Sequence, residues 1–121
     1  MAQNSITKTY DLEERTYQFA KRAALFCRRL PKTVNNMEYA KQIIRASGST
    51  GANYIEASEA LSGKDFLMRV KICRKEAKEA AYWLRLIIET NNENFKEEGS
   101  LLFQEAIEPK KIFSSIIERS K

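Results

Sequence analysis

The sequence predicts an all-α domain, a bundle of four amphipathic helices, on the strength of three observations. Phe66, Val70, Cys73, Ala77, Ala80, Leu84 and Ile87 alternate spacings of four and three, the repeat by which a helix lays one apolar seam against its neighbours. Only four Gly and two Pro punctuate 121 residues rich in Ala, Leu, Ile, Lys and Glu, too few turn residues for a β sandwich. Breaks at Pro31, at Ser62 and at Asn91 with Asn92 divide the chain into four periodic segments. A chain of this length buries a core without disulfide or metal, so a single bundle domain over residues 11–121 is expected.

Residues 1–10 show no periodicity and read as a flexible tail. Helix 1 is expected from a cap at Asp11, with Glu13 and Glu14 opposing the dipole in its first turn and Leu12, Thr16, Phe19, Ala20, Ala23, Phe26, Cys27 and Leu30 facing inward. Pro31 ends it, because the residue before a proline is pushed out of helical geometry. Helix 2 is expected from Met37 to Leu61, capped by Asn35 or Asn36. Its middle, Ser47 to Ala52, holds only small residues. Two glycines inside a helix cost about 1 kcal/mol each relative to alanine, which points to a close helix approach. Ser62 and Asp65 resemble a capping box for helix 3, which Asn91 and Asn92 end. Helix 4 is expected from Ser100 to Arg119, with a kink near Pro109 or two short helices meeting there, since proline cannot donate to the Glu105 carbonyl.

Several chemistries are excluded by composition. The chain has no histidine, so the Glu-x-x-His pairs of di-iron bundles cannot form and the commonest neutral-pH acid and base is missing. No Ser-His-Asp or Ser-x-x-Lys arrangement stands out, and the GSTGA run lacks the Gly-Lys-Ser/Thr ending of a phosphate loop. No catalytic residue, cofactor or metal is therefore assigned. Cys27 and Cys73 fall on apolar faces and read as reduced, buried thiols. The polar N-terminus lacks the apolar core of a signal peptide and no stretch is long enough for a membrane span, so a cytoplasmic location without membrane contact is expected.

Charge is the most informative feature. Between Arg15 and Arg85 there are 15 basic and 6 acidic residues, a local +9, whereas the ends hold 6 basic and 10 acidic, a local −4. Lys64, Lys71, Lys75, Lys78 and Arg85 line one face of helix 3. Lys71 with Lys75, and Arg74 with Lys78, are like charges one turn apart, each pair costing a few tenths of a kcal/mol, which stability alone would not favour. Such asymmetry points to a polyanion or an acidic partner. The residues expected to bind nucleic acid are Arg28, Arg29, Lys71, Lys75 and Lys78. Asn53, Glu56 and Glu76 are expected to form a structural polar core, satisfied by Arg45, Arg69 or Arg74. Tyr82 and Trp83 read as wedge residues at a helix or subunit contact rather than a base-stacking platform.

At ASGSTGANYIEASEALSGKDF, Ala46 to Phe66, and KEAKEAAYWLRLI, Lys75 to Ile87, the chain resembles the four-helix bundle proteins encoded by intervening sequences in bacterial 23S ribosomal RNA genes. The shared pattern is a small-residue run, Asn53 and Glu56 as Asn-x-x-Glu, a short capped turn, then Glu76, Glu79, Tyr82, Trp83 and Leu84. The match covers Arg15 to about Ile88. The resemblance implies an up-and-down topology and a homopentamer, and a relation to the accessory variability determinant proteins of diversity-generating retroelements, basic barrels associated with RNA or DNA and a reverse transcriptase. The expected function is that of a non-enzymatic, oligomeric bundle binding RNA or DNA through its basic surface. The alternative is a scaffold or accessory subunit for an acidic protein partner, such as a reverse transcriptase complex. A third reading, an enzyme using Glu56, Glu76 and Glu79, requires a solvent-accessible carboxylate pocket.

Overall fold

The computed structural model describes the backbone of residues 3–120 and the side chains of residues 12–120. Four helices, α1 (Gln3–Arg28), α2 (Val34–Ser58), α3 (Gly63–Thr90) and α4 (Lys96–Arg119), follow one another, with a 3₁₀ turn at Glu93–Phe95 before α4 and no strand among the described residues. α2 packs along α3, and α3 along α4; α1 lies on α2 and, over a smaller area, on α4. Each helix thus neighbours the next in sequence and α1 closes on α4, the up-and-down four-helix arrangement.

The helix ends differ from the sequence expectation for local reasons. α1 starts at Gln3, so Asp11 lies within it rather than capping it. No Gly or Pro interrupts residues 3–11, and each added helical residue gains a backbone hydrogen bond. The tail expected over residues 1–10 falls partly outside the described residues. α2 is capped by Thr33, whose hydroxyl accepts from the Asn36 amide, and not by Asn35 or Asn36. Asn36 is instead buried, and its side-chain amide exchanges two 2.8 Å hydrogen bonds with that of Asn91. Ser62 caps α3 through the Asp65 amide. α4 begins four residues before Ser100, with Glu97 and Glu98 in its positively polarised first turn. It runs through the buried Pro109 as one helix, not two.

The core has two lobes. Phe19, Ala23, Phe26, Ile43, Ala46, Ala80, Leu84, Ile87 and Leu102 fill one; Leu12, Tyr54, Ala57, Val70, Cys73, Phe113 and Ile117 fill the other. Between them, in every helix, stands a small or polar residue: Thr16, then Ser47 and Thr50, then Ala77, then Pro109. The three buried hydroxyls donate to carbonyls of their own helices, so this waist is satisfied without cross-helix partners. Here α1 and α2 meet closely, since a Cβ on Gly51 would lie 3.1 Å from the Thr16 hydroxyl. The close approach accounts for one of the two glycines of the small-residue run; a Cβ on Gly48 would meet nothing within 4 Å. At one end of the bundle Gly99 lets α4 approach α3, where a Cβ would stand 2.8 Å from Ile88 Cγ1.

Both cysteines are free and buried. Burial pushes the Cys27 thiol up to about 11 and that of Cys73 up to about 12.

Candidate nucleic-acid interface

The basic residues of α3 are organised by what its carboxylates do. Glu76 and Glu79 turn toward α2, where Arg45 reaches both: one guanidinium nitrogen is 3.6 Å from Glu76 Oε1 and the other donates to Glu79 Oε1 at 3.1 Å. Glu76 is buried, and its Oε1 has no hydrogen-bond partner, so Arg45 attracts it without bonding it. Further along the same flank Arg69 donates to Asn53 Oδ1 at 3.1 Å, and the Asn53 amide donates back to Ser49. The α3 acid that could neutralise a groove lysine one turn away, Glu79 four residues after Lys75, is therefore committed to α2.

On the other flank, Lys71, Arg74, Lys75 and Lys78 meet Lys110 and Ser114 of α4 along a groove of about 410 Å³. No carboxylate lines this groove, and none of its five cations makes an ion pair among the described residues. Lys111, one residue after Lys110, turns away to Glu108. Four like-charge contacts at spacings of three and four crowd one stretch of α3, each unfavourable by a few tenths of a kcal/mol. The arrangement concentrates positive charge that no carboxylate lining the groove offsets.

The sequence-predicted residues divide. Lys71, Lys75 and Lys78 come together, whereas Arg28 and Arg29 do not line the groove. Arg29 pairs with Glu98 where the end of α1 meets the start of α4, so its charge is already answered. Glu56 does not belong to a polar core: it lies about 60° round α2 from Asn53 at 3.6 residues per turn and is exposed. Asn53 and Glu76 lie on the α2–α3 flank as described. Lys110 and Ser114 went unassigned in the sequence; their spacing of four places them on one strip of α4, but only the packing of α4 on α3 sets that strip opposite Lys75.

Trp83 turns inward onto Tyr39, with ring centroids 5.9 Å apart, while Tyr82 remains 59% exposed. Among the described residues no group of three Cys, Asp or Glu side chains gathers as for a metal ion, and no helix is long and apolar enough to cross a membrane.

Comparison with known families matches residues 8–115 to the family described as 23S rRNA-intervening sequence protein. The chain belongs to that family. The chain is also similar to a solved structure from Bacteroides thetaiotaomicron, described as a protein of unknown function from the S23 ribosomal protein family. The two share 31% identity and a TM-score of 0.73 over 88% of this chain and 97% of the other. Among curated proteins no match was found.

Proposed function

We propose that this protein is a non-enzymatic binder of RNA or DNA, holding backbone phosphates in the α3–α4 groove. One observation carries the reading: five cations share a groove that no acid lines, and none of them makes an ion pair among the described residues. Phosphate contacts release condensed counterions, so affinity falls linearly in log salt. Titration of labelled RNA and DNA at two salt concentrations tests it, with Lys71→Glu, Lys75→Glu and Lys78→Glu combined as the control. Binding at low salt that the triple variant loses is expected; absence of binding, or binding indifferent to the three lysines, would reject the proposal. Capture of an acidic protein that survives nuclease treatment would favour the scaffold role, including the reverse transcriptase partnership of the accessory variability determinant proteins.

A second surface supports the homo-oligomer implied by the resemblance. Met37, Ile44 and Ile55 of α2 are about half exposed, and Ile55 lies one turn from Gly51, the residue that touches α1. With Tyr17 of α1 they form an apolar strip on the α1–α2 face, opposite the basic groove. Covering this strip with further copies, five by the family resemblance, would leave every groove free for a polyanion. Light scattering reads the mass; Ile44→Glu with Ile55→Glu should yield monomers, and an unchanged mass would exclude this face as the contact.

A further inference from the structure

The strip of α3 that carries Lys71, Lys75 and Lys78 continues beyond the groove they line. Tyr82 lies four residues beyond it, seven beyond Lys75 and eleven beyond Lys71, on the same strip of α3 and about 16 Å from Lys71 at 1.5 Å per residue. Its ring is 59% exposed, in a protein whose other α3 aromatics, Phe66 and Trp83, are partly buried. It is also held in place: the Trp83 ring meets it edge-on with centroids 5.1 Å apart at 83°, and Trp83 is itself anchored on Tyr39. A row of unanswered cations leading to one exposed, backed aromatic ring combines the two elements of single-strand recognition, a backbone track and a stacking platform.

Resting on the phosphate-groove reading above, we propose that the ligand is single-stranded nucleic acid, its backbone along Lys71–Lys78 and one base stacked on Tyr82. A duplex satisfies the cations equally well but keeps its base faces inside the stack, where no side-chain ring reaches them. No Asn or Gln lines the groove, so the amide pairing that reads adenine is missing.

Fluorescence anisotropy with one labelled oligonucleotide, alone and annealed to its complement, tests this on the full chain. Tyr82→Ala should weaken the single strand by about 5- to 150-fold, the range for losing one stacked base, while leaving duplex affinity and the salt slope unchanged. Tyr82→Phe should retain binding, and matching circular dichroism should show that both variants keep the fold. Trp83 is the sole tryptophan, so its emission should change on titration with the single strand and not with the duplex. Equal affinity for both forms, or a Tyr82→Ala variant that binds the single strand as well as wild type, would overturn the inference. If binding then still depends on Lys71, Lys75 and Lys78, the phosphate groove survives and only Tyr82 loses its role; if neither form binds, both readings fall together.

Discussion

Removing Arg45 and removing Glu76 should have unequal effects, although the two face one another. Glu76 is 6% exposed with an oxygen lacking any hydrogen bond, while the Arg45 side chain is 55% exposed and bonds Glu79 at 3.1 Å. In Arg45→Met the carboxylate stays buried and loses its nearest cation, a cost of about 1–3 kcal/mol for an unsatisfied buried group. The 3–5 kcal/mol of a fully buried broken pair is too high here, because Arg45 already stands half in water. In Glu76→Leu the buried charge disappears, and Arg45 keeps both Glu79 and solvent. Replacing a buried ion by a well-packed apolar side chain ranges from neutral to stabilising by about 1–4 kcal/mol. The variants should therefore differ by at least about 1 kcal/mol, a few degrees in Tm for a chain of this size. Urea unfolding followed by circular dichroism at neutral pH, with m-values checked for equality, measures the gap. A Glu76→Leu protein as unstable as Arg45→Met would refute the argument, since the carboxylate would then have to contribute more than its desolvation costs.

Three further outcomes follow from the same geometry. If all five groove cations meet phosphates, log affinity for a single strand should fall with log salt at a slope near −3.5, and the triple lysine reversal should flatten it to about −1.4 or beyond; a slope unaffected by the reversal places the contacts elsewhere. Gly99→Ala gains about 1 kcal/mol in helix propensity, but its Cβ would stand 2.8 Å from Ile88 Cγ1. Net loss of stability by about 1–2 kcal/mol is expected from overpacking, with recovery in the Ile88→Ala background; a simple gain in Tm would show that the contact yields freely. The two thiols supply a pH dependence. Their folded pKa values are raised from 9.0 to about 11 and about 12, so their contribution is whole below pH 9 and drains away as pH rises toward 11–12, where the unfolded chain has already lost the protons. Conversion of both cysteines to alanine should remove that part of the alkaline slope, and native-state alkylation at pH 8 should be slow until denaturant is added.

The seams of the helices were legible because apolar spacing is a property of one helix at a time: Val70, Cys73, Ala77, Ala80, Leu84 and Ile87 are all buried. What escaped depends on two helices at once. Lys110 joins Lys75 only through the packing of α4 on α3, and Arg29 drops out only because Glu98 begins α4 beside it. Glu56 reads as a polar-core residue in the sequence, yet the about 60° that separates it from Asn53 round α2 leaves it exposed. Helix starts were misjudged where several capping residues compete: Thr33 caps α2, releasing Asn36 to pair with Asn91, a choice no local preference dictates.

The flanking polar ties have a consequence for chirality. Four rods joined up and down can wind to the left or to the right, with the same neighbours touching and the same greasy seams concealed. What differs is which side of α2 greets α1 and which greets α3. Arg45 and Asn53 look toward α3, while the notch at Gly51 admits Thr16 of α1. In the mirror winding the notch would open against α3, and Glu76 would be interred with no cation at hand. The hand of the bundle is thus encoded by a few residues that lie outside its two apolar lobes.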